Sequence, residues 1–168
     1  MATSIKTPDP ALDNLLADLQ TNAKVAYPFF HTMAQRPEAL KTFMPFYGAV
    51  AGPGSVDRRT KELVYLAASF ANDCALCSAA HIASGKKAGV TDDDLAALRG
   101  GNDERFTGSE RAAVRYAREL TRTAWTRESI AGLRAHFNEE QVVEITLLAA
   151  MANFTNRVNN GLSLQPGE

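Results

Sequence analysis

Apolar side chains recur at helical spacing along most of the chain. From residue 11 onward, leucines return every three or four positions, which indicates one buried face of an α-helix. Two later segments, residues 63–71 and 145–152, are apolar on nearly every side, as is typical of helices enclosed in a core. No long segment alternates apolar and polar residues in the manner of a strand. The sequence therefore predicts an all-α fold, a compact bundle of about seven to nine helices.

Polar and breaker residues indicate where several helices begin and end. Three pairs fit the capping-box pattern of a helix N-terminus: Thr91 with Asp94, Thr107 with Glu110, and Asn138 with Gln141. Pro28 is expected to end or kink the first helix, and Pro45 to interrupt the third, which begins near Pro37.

Composition indicates one soluble globular domain. The chain has 168 residues, of which 45% are hydrophobic and 22% charged, so we predict a single domain over residues 1–168, loose at residues 1–10 and 162–168. A net charge of −1 gives no reason to expect nucleic acid or an anionic membrane as a partner. Neither a membrane-spanning apolar run nor a signal peptide is visible, so we expect a cytoplasmic location.

Two cysteines and a histidine lie close together after the first apolar segment. Asn72 and Asp73 are good N-cap residues, so Cys74 is expected to open a helix. At about 100° per residue, Cys74, Cys77 and His81 then share a stripe roughly 60° wide. Thiols one turn apart suit a reversible disulfide, and a histidine one turn beyond Cys77 can accept its proton.

Glu62 is the last acid before the buried segment. A carboxylate at the edge of an apolar region tends to have a raised pKa, which suits general acid–base chemistry. Arg58 lies one turn earlier, and a solvated Arg58–Glu62 ion pair would explain the acid without chemistry. Both interpretations stay open on the residues alone.

The spacing of Glu62, Cys74, Cys77 and His81 in an all-helical context resembles the active-site signature of the alkylhydroperoxidase D-like branch of the carboxymuconolactone decarboxylase superfamily. The likeness extends over residues 37–98. It implies that Cys77 is the peroxidatic thiol, that Cys74 resolves the intermediate, and that Glu62 and His81 form a proton relay. It further implies homo-oligomers, trimers or hexamers, and an external dithiol reductant such as a lipoyl or thioredoxin-like protein.

Two features of the motif conflict with a simple transfer of roles. The helix dipole by itself favours Cys74 as the more acidic thiol, whereas the position of His81 favours Cys77, the assignment we adopt. Leu76 stands between the cysteines where the family's founding pattern has a histidine, so peroxidase activity is expected to be weaker or directed to another oxidant.

The predicted activity is therefore that of a thiol peroxidase reducing organic hydroperoxides, with Cys77, Cys74, His81 and Glu62 as catalytic residues and no bound cofactor. Phosphate-binding glycine motifs are absent from the sequence, so neither flavin nor nicotinamide is expected. Three alternatives stay open: a zinc site built from Cys74, Cys77, His81 and a fourth ligand such as Glu62, a thiol-independent acid–base decarboxylase using Glu62 and His81, and a non-catalytic oligomeric protein.

Other polar residues are assigned structural roles. Glu144 precedes an apolar run much as Glu62 does, which indicates a diverged helical repeat. The asparagines around Arg157 are expected to cap the last helix or to line an interface. Phe43, Phe46 and Tyr47 are expected in the core, with a pocket floor as the alternative.

Overall fold

The computed structural model describes residues 10–166, which form nine α-helices and no strand, so the predicted all-α class is confirmed. The helices are α1 (Pro10–Asn22), α2 (Tyr27–Met33), α3 (Pro37–Ala51), α4 (Arg58–Ala71), α5 (Ala75–Lys87), α6 (Asp92–Gly100), α7 (Gly108–Thr123), α8 (Ser129–Arg134) and α9 (Glu139–Gly161). A short 3₁₀ turn, Asp103–Arg105, joins α6 to α7.

Helix α4 lies at the centre of the bundle. Residues 60–69 are all buried, and the helix packs against α5, α7 and α9. Each fully buried Leu or Val side chain stabilises the folded state by roughly 1.5–3 kcal/mol, so this helix is held firmly on every side. Any polar side chain on α4 therefore has a fixed direction, which matters for Glu62.

The predicted helix starts are confirmed at all three capping boxes, where both reciprocal hydrogen bonds are present. A fourth cap was not foreseen: the Asp57 side chain accepts a hydrogen bond from Thr60 N at the start of α4. It fixes the helix that carries Glu62 at its first turn.

The two proline predictions are wrong in detail. Helix α1 already ends at Asn22, and Pro28 lies in the first turn of α2. Backbone N–H groups in the first turn have no acceptor within the helix, so the lack of one in proline costs no helical hydrogen bond. Helix α3 continues through Pro45, because buried side chains on both sides of the proline, Leu40, Phe43 and Val50, pack into the core.

Of the ends predicted to be loose, residues 1–9 and 167–168 lie outside the described part of the chain. The backbone N–H of Leu164 donates to the Asn159 carbonyl at 2.9 Å, and its side chain packs against the core. Across residues 10–166, none of the helices has the length and apolar character needed to cross a bilayer.

Candidate active site

The connection between α4 and α5 positions the first thiol. Asn72 caps the end of α4, Asp73 takes a left-handed conformation with φ of 52°, and Cys74 itself is the N-cap of α5. The Cys74 sulfur accepts a hydrogen bond from the Cys77 backbone N–H at 3.3 Å. The prediction that Asn72 or Asp73 caps this helix is therefore wrong, because both residues are used to reverse the chain.

The two buried, reduced thiols differ in acidity. The hydrogen bond from Cys74 is the largest influence on Cys77 and lowers its pKa to about 7; burial opposes this, and hydrogen bonds from Asn159, Asn156 and Thr155 assist. The same thiol–thiol hydrogen bond, together with burial, raises the pKa of Cys74. Near neutral pH Cys77 is thus the thiol that ionises, while Cys74 stays protonated. These pKa shifts support Cys77 as the nucleophile.

Glu62 and His81 form a direct contact between α4 and α5. The Oε2 atom of Glu62 lies 2.8 Å from Nδ1 of His81, and Oε1 lies 2.6 Å from a guanidinium nitrogen of Arg58. Only 2% of Glu62 is exposed. The pair with Arg58 is therefore present but is not solvated on the Glu62 side, and it coexists with the pair to His81.

The acidity of Glu62 differs from the sequence prediction. Burial alone would raise its pKa, but hydrogen bonds from His81 and Ser84 and the charge of Arg58 together hold the pKa below its usual range. The carboxylate therefore stays ionised near neutral pH and can only accept hydrogen bonds. Nδ1 of His81 consequently carries a hydrogen, and Nε2 is the nitrogen left to accept a proton.

A buried tyrosine stacks on the imidazole. The Tyr65 ring stacks on the His81 ring with centroids 3.4 Å apart and planes inclined by 14°. Its hydroxyl pairs with Thr155 Oγ1 at 2.6 Å. Burial raises the pKa of Tyr65 well above its ordinary value and that of Tyr47 to about 12, so both phenols stay protonated. They orient the imidazole without exchanging protons near neutral pH.

A small cavity of about 40 Å³ joins the thiol to the imidazole. Cys77, His81 and Asn159 line it together with an apolar set of side chains: Ala26, Phe29, Phe30, Leu76 and Ala80. Within residues 10–166 no hydrogen bond joins His81 to either sulfur. A proton can therefore pass from Cys77 to Nε2 only across this cavity, by way of a water molecule or a bound oxygen compound.

A second cavity, of about 220 Å³, lies on the Glu62 side of the same imidazole. Arg58, Lys61 and Glu62 contribute charged groups to a lining that is otherwise mostly apolar. His81, Tyr47 and Tyr65 line both cavities and form the partition between them. The larger cavity gives access to the carboxylate, whereas the smaller one gives access to the thiol.

Asparagines of α9 complete the thiol site, and sequence reasoning missed them. Nδ2 of Asn159 lies 3.0 Å from the Cys77 sulfur. Asn156 binds Ser69 Oγ at 3.2 Å and accepts from Asn72 at 2.9 Å. Both continue the buried face of an apolar helix, a position where a polar side chain needs a partner. The position of these two asparagines on the apolar face of the predicted helix was the sequence feature that could have identified them.

Glu144 has a different role from Glu62 despite its similar sequence setting. Its Oε2 accepts hydrogen bonds from Ser55 N and Val56 N at 2.9 and 3.1 Å, and Oε1 pairs with the buried Lys61 ammonium. A side chain at Gly54 would collide with the same carboxylate. Glu144 thus binds the loop between α3 and α4 to α9.

The zinc alternative requires at least three close ligands. Over the described residues, no group of three or more His, Cys, Asp or Glu side chains could hold a metal ion. Glu62, the fourth ligand considered, is directed to His81 and Arg58.

Comparison with known proteins relates the chain to one family by sequence and to several solved structures by fold. A sequence model described as the Carboxymuconolactone decarboxylase family matches residues 37–119. The uncharacterised protein YdfG of Bacillus subtilis is 28% identical over 127 residues, covering 73% of this chain and 86% of YdfG. Among solved structures, a protein of unknown function from Agrobacterium tumefaciens, provisionally assigned to antioxidant defence as AhpD, is 29% identical. It superposes with a TM-score of 0.73 over 82% of this chain and 97% of its own.

The fold itself extends over almost the whole chain. An uncharacterised peroxidase-related protein from Silicibacter superposes with a TM-score of 0.81 at 20% identity, covering 99% of this chain and 91% of its own. The architecture is that of an alkylhydroperoxidase D-like protein. The chain belongs to the alkylhydroperoxidase D-like and carboxymuconolactone decarboxylase superfamily.

Proposed function

We propose that the chain is a thiol-dependent peroxidase and disulfide oxidoreductase that reduces organic hydroperoxides. The observation that carries the proposal is the placement of Cys77: its pKa is lowered to about 7, it lies beside Cys74, and it faces the same small cavity as His81. A nucleophile that is ionised near neutral pH, a proton acceptor and a second thiol are what the reaction needs.

The proposed reaction has three steps. His81 Nε2 takes the proton of Cys77 across the cavity, while ionised Glu62 stabilises the imidazolium through Nδ1. The thiolate attacks the terminal oxygen of the hydroperoxide, so an S–O bond forms, the O–O bond breaks, and the departing alkoxide takes the proton of His81. Cys74 then displaces water from the sulfenic acid and closes a disulfide.

The lining of the thiol cavity supports an organic substrate. Phe29, Phe30 and Leu76 form much of its wall, and an alkyl group gains from burial against such side chains. An external dithiol must reopen the disulfide, and we propose a lipoyl or thioredoxin-like protein in this role. Because catalytic disulfides of this kind cycle in reducing compartments, we assign the chain to the cytoplasm.

We propose in addition that the chain forms homo-oligomers, trimers or hexamers. Exposed apolar side chains along the outer face of α9 support this: Val143, Leu147 and Phe154 are each more than two-fifths exposed, and Phe46 of α3 is 53% exposed. An apolar face of this kind is typical of a contact between subunits.

A second candidate is a thiol-independent acid–base reaction of the decarboxylase type. The observation that favours it is the larger, charged cavity beside Glu62, where Arg58 could bind a substrate carboxylate. The two candidates differ in one requirement, because only the peroxidase needs the cysteines.

The deciding experiment is intact mass and free-thiol count of the reduced, metal-free protein before and after a stoichiometric pulse of organic hydroperoxide, followed by a dithiol. We expect rapid loss of both thiols to an intramolecular disulfide and their recovery with the dithiol. Cys77→Ser is the matched control and should not react. Thiols that stay reduced, or a Cys77→Ser variant that consumes peroxide as fast as the parent, would exclude the peroxidase.

A further inference from the structure

Asn159 of α9 makes a short side-chain contact with the thiol pair, beside the smaller influence of Asn156 and Thr155 on Cys77. Nδ2 donates to the Cys77 sulfur at 3.0 Å, and the Cys74 sulfur lies at 3.9 Å. The residue is 3% exposed, and eighty-two positions separate it from Cys77 along the chain. Its amide group is therefore held against both sulfurs by the packing of α9, independently of the cysteine motif.

The other end of the same amide has no partner. Over residues 10–166, Asn159 Oδ1 is a buried side-chain oxygen without any hydrogen bond. Buried acceptors are normally satisfied, because leaving one unpaired is costly. Asn159 lines the small thiol cavity, and two hydroxyls that also line it, those of Thr155 and Tyr65, pair with each other. An unpaired acceptor on a residue that lines this cavity can accept a hydrogen bond from an O–H or N–H group bound beside it.

We propose that Asn159 is a catalytic residue that recognises the hydroperoxide group itself, with Nδ2 donating to the Cys77 sulfur and Oδ1 accepting the O–H of the attacked terminal oxygen. This inference rests on the proposed function. One planar amide then holds the nucleophile and the electrophilic oxygen side by side. The class of substrate selected is a compound with hydrogen on the terminal peroxide oxygen, ROOH, in preference to thiol-reactive reagents without such a donor.

The contact persists through the chemical step. The Cys77 thiolate gives an electron pair to the terminal oxygen, the S–O bond forms, and the O–O bond breaks. The alkoxide leaves as the alcohol with the proton held by His81. The O–H of the resulting sulfenic acid still donates a hydrogen bond to Asn159 Oδ1, which holds the sulfenic acid in place. The Cys74 sulfur then attacks the Cys77 sulfur, and the oxygen departs as water.

The test compares two reagents on one thiol. In a Cys74→Ser background, rate constants for Cys77 are measured with tert-butyl hydroperoxide and with methyl methanethiosulfonate, which has no O–H or N–H donor. Rates are followed as a function of pH, so that the values for the fully ionised thiol can be compared. The ratio of the two rate constants is then independent of how far each variant ionises.

Asn159→Leu removes the amide and keeps the branched shape and the number of heavy atoms of the side chain. We expect the hydroperoxide rate of the ionised thiol to fall roughly 10- to 100-fold while the methanethiosulfonate rate changes less than about threefold. Asn159→Asp keeps an acceptor oxygen, so its rate ratio should stay within about threefold of the parent even though its charge raises the pKa of Cys77. Asn102→Leu makes the same change at an exposed position between α6 and the 3₁₀ turn, so it is the control and should keep the parent ratio.

Equal losses with both reagents in Asn159→Leu would overturn the inference, because they would mean that the amide acts only on the thiolate. A ratio that falls as far in Asn159→Asp as in Asn159→Leu would overturn it as well, since the acceptor would not be what matters. A parent that reacts with methanethiosulfonate but not with hydroperoxide would instead exclude the proposed peroxidase and this inference with it.

Discussion

Nδ1 of His81 lies 2.8 Å from Oε2 of Glu62, although nineteen residues and a helix junction separate the two. The contact fixes which ring nitrogen holds a hydrogen, and hence which one can accept a proton from the thiol. Arg58 occupies the other oxygen of the same carboxylate. Substitutions at Glu62 and at Arg58 can measure the effects of the two contacts independently.

Glu62→Gln should lower hydroperoxide reduction at pH 7 by roughly 100-fold, because the imidazolium loses its ionised partner. Arg58→Gln removes an exposed cation from the same carboxylate and should change the rate less than about threefold. Peroxide consumption with excess dithiol measures both. Equal losses would mean that the ion pair with Arg58, rather than the orientation of His81, is what the carboxylate supplies.

The acidity of Cys77 should depend on the neighbouring thiol. Alkylation of Cys77, followed by mass spectrometry, should increase with pH through a midpoint of about 7, because the thiolate is the reacting form. In Cys74→Ala the largest stabilising hydrogen bond is lost, and the midpoint should move upward. Cys74→Ser keeps a hydroxyl donor and should show the smaller shift. An unchanged midpoint in Cys74→Ala would show that the Cys74 hydrogen bond is not the cause.

The roles of the two thiols can be distinguished by trapping. Cys77→Ser should abolish turnover, whereas Cys74→Ser should accumulate a sulfenic acid on Cys77 that a dimedone-type reagent labels after a peroxide pulse. Labelling of Cys74 in Cys77→Ser as fast as that of Cys77 in Cys74→Ser would reverse the assignment.

Much of this architecture could be predicted from local pattern. Helix periodicity and capping pairs are properties of neighbouring residues, so the all-α class and three helix starts were predicted correctly. The junction was predicted wrongly because Asn72 and Asp73 are equally suited to capping a helix and to a left-handed turn. The choice between them depends on where α4 and α5 pack.

Through-space relationships could not be predicted in this way. Burial raises the pKa of Glu62, whereas His81, Ser84 and Arg58 lower it. Whether the pKa ends above or below its usual range depends on the distances from the carboxylate to these three side chains, which the sequence does not give. Asn159 reaches the thiols from a helix that the motif does not include. The sequence places Asn159 on the apolar face of α9, but it does not indicate that the partner of this side chain is Cys77.

Glu144 should contribute to stability and not to chemistry. Glu144→Gln leaves the buried Lys61 ammonium without its anion and should lower the free energy of unfolding by about 3 kcal/mol at pH 7. Urea denaturation measures this. Reaction of Cys77 with hydroperoxide should stay unchanged at a temperature where both proteins are folded.

The same variant should change the response to acid. Hydrogen bonds from Lys61 and Ser55 outweigh burial and hold the pKa of Glu144 below its usual range. A lowered folded-state pKa contributes stability that is present above the unfolded value and is lost as pH falls through the folded value. Between pH 7 and pH 3 the parent should therefore lose more stability than Glu144→Gln. Parallel losses would contradict this account.

The outer face of α9 should govern assembly. Leu147→Glu places a charge in the exposed apolar row and should shift the protein to a smaller species in light scattering. Gln20→Glu adds the same charge to an exposed position of α1 and should leave the mass unchanged. A parent that is monomeric at micromolar concentration would contradict the proposed homo-oligomer.

The short connection between α4 and α5 restricts how this chain can vary. Only Asn72, Asp73 and Cys74 separate the two helices. One extra residue within α4 after Glu62 would rotate everything beyond it, including the face that carries the thiol and the imidazole, by about 100° relative to the carboxylate. Natural relatives and engineered variants should therefore tolerate substitutions around the cysteines far more readily than insertions or deletions between Glu62 and Cys74, so that segment length is inherited more strictly than residue identity.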